Sequence, residues 1–154
     1  MSQKYIVIDK TSALEADVLF VLKDLDLKYF PTPWDDASWD HVFSEGADRF
    51  ILVDSRDGLI PAFVLFDINV VDSFAHLLKI LVNPENRGLK IGKNLLNEAI
   101  RELSNRGIKT FFLEVEEENI VARNLYESMG LKVIHKKKHF YSNGGTAIIM
   151  TLEV

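Results

Sequence analysis

The hydrophobic pattern of this sequence predicts one mixed domain over residues 1–154, α/β or α+β in class, with the element order β-α-α-β-β-β-α-β-α-β-β. Three observations carry that reading. The apolar period switches between about 2 and about 3.6 along the whole length, the spacings of strands and of amphipathic helices. No repeat, linker or low-complexity tract interrupts the 154 residues, a length ordinary for one domain. Two strand–helix units occupy the middle of the chain, and a hairpin pattern closes it.

Residues 5–9 form the first predicted strand. Thr11 is placed to cap a first helix, in which Leu14, Val18, Val21, Leu22 and Leu25 recur at helical spacing as far as about Lys28. Pro31 and Pro33 end it, and Asp35 or Asp36 caps a short second helix carrying Trp39, Val42 and Phe43. Strands follow over 50–54 and 59–69, joined by the turn Ser55-Arg56-Asp57-Gly58, and a further strand over 74–82 stops at Asn83-Pro84. The third helix covers 88–106, with Ile91, Leu95, Leu96, Ala99, Ile100 and Leu103 on one face and Gly107 as its stop. Residues 108–116 read as a buried central strand with an acidic end. A fourth helix over 119–129 closes at Gly130, and strands 131–141 and 146–154 make a hairpin around Ser142-Asn143-Gly144-Gly145.

Composition narrows the function. Hydrophobic residues at 47% and charged residues at 27% exclude a disordered or collagen-like chain. No apolar run approaches the roughly 18 residues that cross a bilayer, and the opening MSQKYIVIDK lacks a signal-peptide layout. A cytoplasmic location is therefore expected. The absence of cysteine removes disulfides, thiol nucleophiles and Cys-ligated zinc. His41, His76, His135 and His139 are scattered without zinc-ligand spacing on one helix face, so no metal is expected. A net charge of −5 argues against nucleic-acid or anionic-membrane partners.

The segment Val82-Asn83-Pro84-Glu85-Asn86-Arg87-Gly88-Leu89-Lys90-Ile91-Gly92-Lys93 joins a strand end to a helix start. Free N–H groups at a helix N-terminus attract anions, and the helix dipole adds to this. Gly88 permits close approach to the backbone, while Arg87, Lys90 and Lys93 bring positive charge. The chemistry suits a nucleotide-like diphosphate. Only three residues separate the glycines and Asn94 follows Lys93, so this is no Walker loop, and a dinucleotide G-x-G-x-x-G is missing. Taken alone, the segment fits a glycine-containing helix cap with solvated cations equally well.

At these residues the sequence resembles the GNAT superfamily of N-acetyltransferases, whose phosphate loop reads Arg/Gln-x-x-Gly-x-Gly/Ala after a strand ending in an apolar-Val-x-Pro stretch. Arg87-Gly88-Leu89-Lys90-Ile91-Gly92 matches at its first and last positions, and Lys90 stands where the middle glycine falls. The segment Leu113-Glu114-Val115, followed by Asn119, Ala122, Leu125-Tyr126-Glu127 and Gly130-Leu131, is similar to the signature of bacterial ribosomal-protein alanine N-acetyltransferases. Pro33-Trp34 is similar to that family's Pro-Trp-Ser entry. The tail from Phe140-Tyr141 to Ala147-Ile148-Ile149-Met150 is similar to its ending, with Phe140 for a tyrosine and Gly145-Thr146 for an acidic pair. The likeness spans nearly the whole chain.

The resemblance implies a mixed, mostly antiparallel sheet of about seven strands with four flanking helices. It implies acetyl-CoA as cosubstrate and direct transfer to an amine in a ternary complex. Glu114 would act as general base and Tyr126 as general acid toward the departing thiolate; a phenol of ordinary pKa near 10 stays protonated for that role. Residues Arg87, Gly88, Leu89, Lys90, Ile91, Gly92 and Lys93 would hold the pyrophosphate. Ile80, Leu81 and Val82 would offer backbone groups to the pantetheine arm and to the oxyanion, and Asn119 would both cap its helix and reach the cofactor. From the residues alone Glu114 reads rather as a solvent-facing strand end, Tyr126 as a core aromatic, and Ile80, Leu81 and Val82 as plain core.

Glu116, Glu117 and Glu118 are either a solvated loop or an attraction for a protonated amine. The run Lys136-Lys137-Lys138 reads as solvated surface, and Trp39 as core, with Trp34 at a flap or in the core. The implied acceptor is the N-terminal α-amine of a protein or peptide. A lysine side chain, polyamine or small amine stays open, as does a CoA-binding sensor without turnover. The chain is expected as a monomer or a homodimer.

Overall fold

Periodicity places the elements, and the computed structural model, which describes residues 2–12, 14–44, 46 and 48–154, arranges them. In chain order they are β1 (Gln3–Asp9), α1 (Ala16–Tyr29), α2 (Asp36–Asp40), β2 (Arg49–Arg56), β3 (Leu59–Asn69), β4 (Phe74–Val82), α3 (Ile91–Asn105), β5 (Thr110–Glu116), α4 (Ile120–Ser128), β6 (Lys132–Lys137) and β7 (Ala147–Glu153). The order matches the expected one; a single turn of 3₁₀ helix at Pro84–Asn86 is added between β4 and α3.

The seven strands form one sheet, β1-β2-β3-β4-β5-β7-β6. Every neighbouring pair is antiparallel except β4 and β5. Each face of the sheet buries an apolar layer. On one side Ile91, Leu95, Leu96, Ala99 and Leu103 of α3 and Tyr126 of α4 pack with Phe111, Leu113 and Val115 of β5. On the other, Leu22 and Leu25 of α1, Trp39 and Val42 pack on Ile51, Val53, Phe63 and Leu65. β4 serves both layers because of a bulge. Leu65 opposes Lys79 and Phe66 opposes Leu77, so Leu78 is the extra residue. Ala75 and Leu77 before the bulge, and Ile80 and Val82 after it, all face α3, while Leu81 turns to the α1 side.

Local chemistry sets the ends of the helices. Thr11 is not the cap of α1: its hydroxyl donates to Asp9 Oδ1 at 2.6 Å in a turn, and the helix begins at Ala16 without a side-chain cap. Asp35 caps α2, accepting from the Ser38 N–H at 2.7 Å. α3 begins at Ile91 and not at 88, because Gly88 (φ 84°) and Lys90 (φ 60°) are left-handed. Gly107 and Gly130 end α3 and α4 with φ of 96° and 95°; beyond them the Ile108 N–H returns to Leu103 O and the Leu131 N–H to Tyr126 O, each at 3.1 Å. The closing hairpin is shorter than expected. Residues 138–146 form a loop, in which His139 (φ 58°) leaves extended geometry and the Phe140 N–H bonds Gly145 O at 3.0 Å.

A buried ion pair crosses from the sheet to the α1 layer. Lys79, 2% exposed, donates to Asp26 Oδ1 at 2.8 Å, and Asp26, fully buried, also accepts from the Trp34 N–H and Trp39 Nε1, each at 2.9 Å. Burial depresses the Lys79 ammonium below the usual lysine value, ahead of the support Asp26 gives it. Among the described residues no helix is long and apolar enough to cross a membrane.

Candidate active site

The parallel pair β4–β5 is joined only at Phe74–Thr110, Ala75–Phe111 and His76–Phe112. Beyond it β4 continues to Val82 and β5 to Glu116, each still paired on its outer side but not to the other. A strand edge left open inside a sheet presents unpaired peptide groups. The Asn83 N–H donates to Pro61 O at 2.7 Å, toward β3. Since backbone direction alternates, the N–H groups of Ile80 and Val82 point the opposite way, into the gap. Leu81 is the exception among the three residues expected there: its peptide turns to β3 and its side chain to the α1 layer.

At the end of β4 the chain makes a row of donors. Among the described residues none of the N–H groups of Gly88, Leu89, Lys90, Ile91, Gly92 and Lys93 has a hydrogen-bond partner; the first bond into α3 is Asn94 N–H to Lys90 O at 3.0 Å. Left-handed Gly88 and Lys90 curl the backbone so that the row leads into the helix N-terminus. Ile91 contributes only its peptide, since its side chain is 2% exposed in the core. Gly92 answers a close approach: a Cβ there would stand 3.3 Å from Val82 Cγ2. Arg87, Lys90 and Lys93 make no ion pair among the described residues, so their charge is uncommitted. Six free donors, three free cations and a helix dipole suit a diphosphate.

Lys90 holds a conformation that costs an L-residue about 1–2 kcal/mol, offset in a Lys90→Gly variant by the extra unfolded-state freedom of glycine, about 0.5–1 kcal/mol. Lys90→Gly should therefore raise stability by up to about 1 kcal/mol, a rise in Tm of roughly 2–4 °C by thermal unfolding. A fall in Tm would show that the lysine side chain holds the loop.

Glu114 lies on β5 beside the gap. Phe111, Leu113 and Val115 point into the α3 layer, so Phe112, Glu114 and Glu116 share the opposite face. Glu114 Oε2 is 2.5 Å from His76 Nε2, and the His76 ring lies on Phe112, centroids 4.3 Å apart and 12° from parallel. Tyr141, from the 138–146 loop, is raised above the usual phenol value by burial, then by the charges of Glu114 and Glu116. Asn143 Nδ2 donates to Glu116 Oε1 at 3.0 Å, tying that loop to β5. The Gly145 N–H donates to Asn143 Oδ1 at 2.8 Å within the same loop. The acidic run divides: Glu116 shares the face of Glu114, Glu117 pairs with Lys136 at 2.9 Å, and Glu118 is exposed.

Tyr126, 6% exposed, is inside the α3–α4 core, and its phenol is pushed up to about 12 by burial, then by neighbouring Tyr141. Among the described residues its hydroxyl makes no hydrogen bond, which leaves it able to donate. Asn119 caps α4, accepting from the Ala122 N–H at 3.2 Å. Trp39 is core at 1% exposure, and Trp34 packs on it with centroids 5.2 Å apart.

Sequence reasoning missed His76 as a partner of Glu114, and the tie of the 138–146 loop to the same strand through Asn143 and Glu116. The available signal was strand alternation: His76 is off the Ala75/Leu77 face just as Glu114 is off the Leu113/Val115 face.

The family model described as acetyltransferase (GNAT) family matches residues 19–131. The ribosomal protein bS18-alanine N-acetyltransferase of Escherichia coli strain K12 is 30% identical over 146 residues, covering 93% of this chain and 96% of its own. The crystal structure of the ribosomal-protein-S18-alanine N-acetyltransferase from Escherichia coli superposes with a TM-score of 0.81 at 27% identity, over 98% of this chain and 94% of that one. Arabidopsis thaliana NAA60, solved in complex with acetyl-CoA, superposes with a TM-score of 0.77 over 98% of this chain and 100% of its own; at 18% identity that likeness speaks for the fold.

Proposed function

Since the chain belongs to the acetyltransferase (GNAT) family, with acetyl-CoA as its cosubstrate, we propose that it acetylates the N-terminal α-amine of a protein or peptide. The observation that carries the assignment to this cleft is the row of six unpaired N–H groups at 88–93, beside a β4 edge that is open opposite Glu114. The similarity to a ribosomal-protein alanine enzyme favours the α-amine over a lysine or polyamine.

The cosubstrate supplies an activated acetyl thioester. The N–H groups of 88–93, with Arg87, Lys90 and Lys93, hold the diphosphate charge, and Asn119 lies at the start of the adjoining helix. The Ile80 and Val82 peptides accept the extended arm along the open edge, and a donor there faces the oxygen that gains charge as the amine attacks. Leu81 supports them from the opposite layer. Glu114 takes a proton from the acceptor ammonium, and Tyr126 gives one to the departing sulfur. The overall reaction releases one proton when the acceptor begins as an ammonium. Holding amine and thioester in line contributes much of the acceleration.

Burial fixes one consequence of using Tyr126 as the acid. With its phenol pushed up to about 12, the donor form persists across the alkaline range, so kcat should not fall between about pH 8 and 10. A falling limb near pH 9–10 that vanishes in Tyr126→Phe would show the phenol titrating there and overturn its raised pKa, whereas a Tyr126→Phe variant with unchanged kcat would remove Tyr126 from the role.

The reading is tested by acetyl transfer from acetyl-CoA to peptides with free Ala, Ser or Met N-termini, to N-blocked peptides containing Lys, and to polyamines. CoA release and product mass are read together. Transfer to free N-termini alone is expected. Transfer to blocked peptides or polyamines overturns the acceptor, and CoA binding without any transfer favours a sensor.

A further inference from the structure

We infer that His76 is the positioning residue of Glu114. The inference rests on the proposed role of Glu114 and deepens it. Glu114 Oε2 lies 2.5 Å from His76 Nε2, so one carboxylate oxygen is committed to the imidazole. Among the described residues the other oxygen, Oε1, has no hydrogen bond, so it is the one that meets the acceptor ammonium.

Three features make His76 a fixed support. Its ring is stacked flat on Phe112, which sits two residues before Glu114 on the same face of β5. Its backbone belongs to the last of the three β4–β5 pairs, so the ring stands where the two strands part. On the other side it opposes Asp67 of β3, whose carboxylate is taken by Arg49 at 2.8 Å, leaving Glu114 as the carboxylate bonded to the imidazole. Both His76 and Glu114 are about a quarter exposed, so solvent and an acceptor can reach them where the strands part. A glutamate at a strand end with no partner samples several rotamers; a hydrogen bond to a stacked ring selects one. A misplacement of about an ångström at a reacting group costs up to about 10²-fold in rate.

The test uses the whole chain with acetyl-CoA and an N-terminal peptide acceptor. His76→Ala should lower kcat roughly 10- to 100-fold while KM for acetyl-CoA stays within about twofold, because the phosphate cradle lies elsewhere. His76→Gln, whose amide can donate to Glu114, should recover at least half of that loss on a logarithmic scale. In a Glu114→Gln background His76→Ala should add less than about threefold, since the two act as a unit. If Glu114→Gln abolishes turnover while His76→Ala leaves kcat unchanged, the support role fails and the base assignment stands. Losses that multiply in the double variant, or a His76→Gln as impaired as His76→Ala, also overturn the support role. If Glu114→Gln itself is fully active, the underlying reading fails instead.

Discussion

Glu114→Gln is expected to lower kcat by about 10²- to 10⁴-fold at neutral pH, the range for loss of a positioned general base. The substitution keeps the shape and a hydrogen bond to His76 but removes the charge that accepts a proton. KM for acetyl-CoA should hardly move, since the donor groups at 88–93 come from a different loop and helix. The pH dependence carries more information than the size of the loss. An α-amine with an ordinary pKa near 8 frees itself of its proton in mildly alkaline solution, whereas a lysine amine needs about pH 10. The deficit of Glu114→Gln should therefore narrow steadily between about pH 7 and 9 if an N-terminus is the acceptor. A deficit that holds constant to about pH 9 and narrows only beyond it points to a lysine-like amine. Activity within about threefold of the parent across the whole range would take the base role away from Glu114.

The difference between what the residues disclosed and what needed coordinates follows from locality. Element order was legible because a buried face repeats at a fixed spacing within each segment; β4 was found at its observed bounds for that reason. Strand order was not, since nothing within β7 states that it inserts between β5 and β6. The start of α3 was misjudged by three residues because lysine gives no sign of a left-handed backbone, and Lys90 adopts one. Glu114 and Tyr126 stood out only through a resemblance; alone they read as a strand end and a core aromatic. His76 needed the pairing of His76 with Phe112, a register fixed by two strands that are far apart in the chain. Ile80, Leu81 and Val82 look alike as letters, and the bulge at Leu78 is what turns them to different layers.

Lys79→Met is the structural counterpart with the largest expected effect, a loss of about 3–5 kcal/mol, because it strands a buried carboxylate. Asp26 is fully buried and holds Lys79 Nζ, the Trp34 N–H and Trp39 Nε1. The ammonium also lies 4.0 Å from the Phe30 ring centroid and 5.1 Å from that of Trp34, so the pair joins β4 to the segment between α1 and α2. Removing the cation leaves the carboxylate with two neutral donors. Taking two charges out of water offsets much of their mutual attraction, so the expected penalty comes from breaking half of the pair rather than from losing its net contribution. The double variant Asp26→Asn/Lys79→Met tests this: the neutral amide oxygen still accepts from Trp34 and Trp39, and no charge is left unpaired. Urea unfolding should rank the parent and the double variant close together, with Lys79→Met well below both and its Tm lower by roughly 10 °C. If Lys79→Met unfolds within about 1 kcal/mol of the parent, Asp26 takes on a proton or water at little cost, and the two layers are held by apolar packing alone.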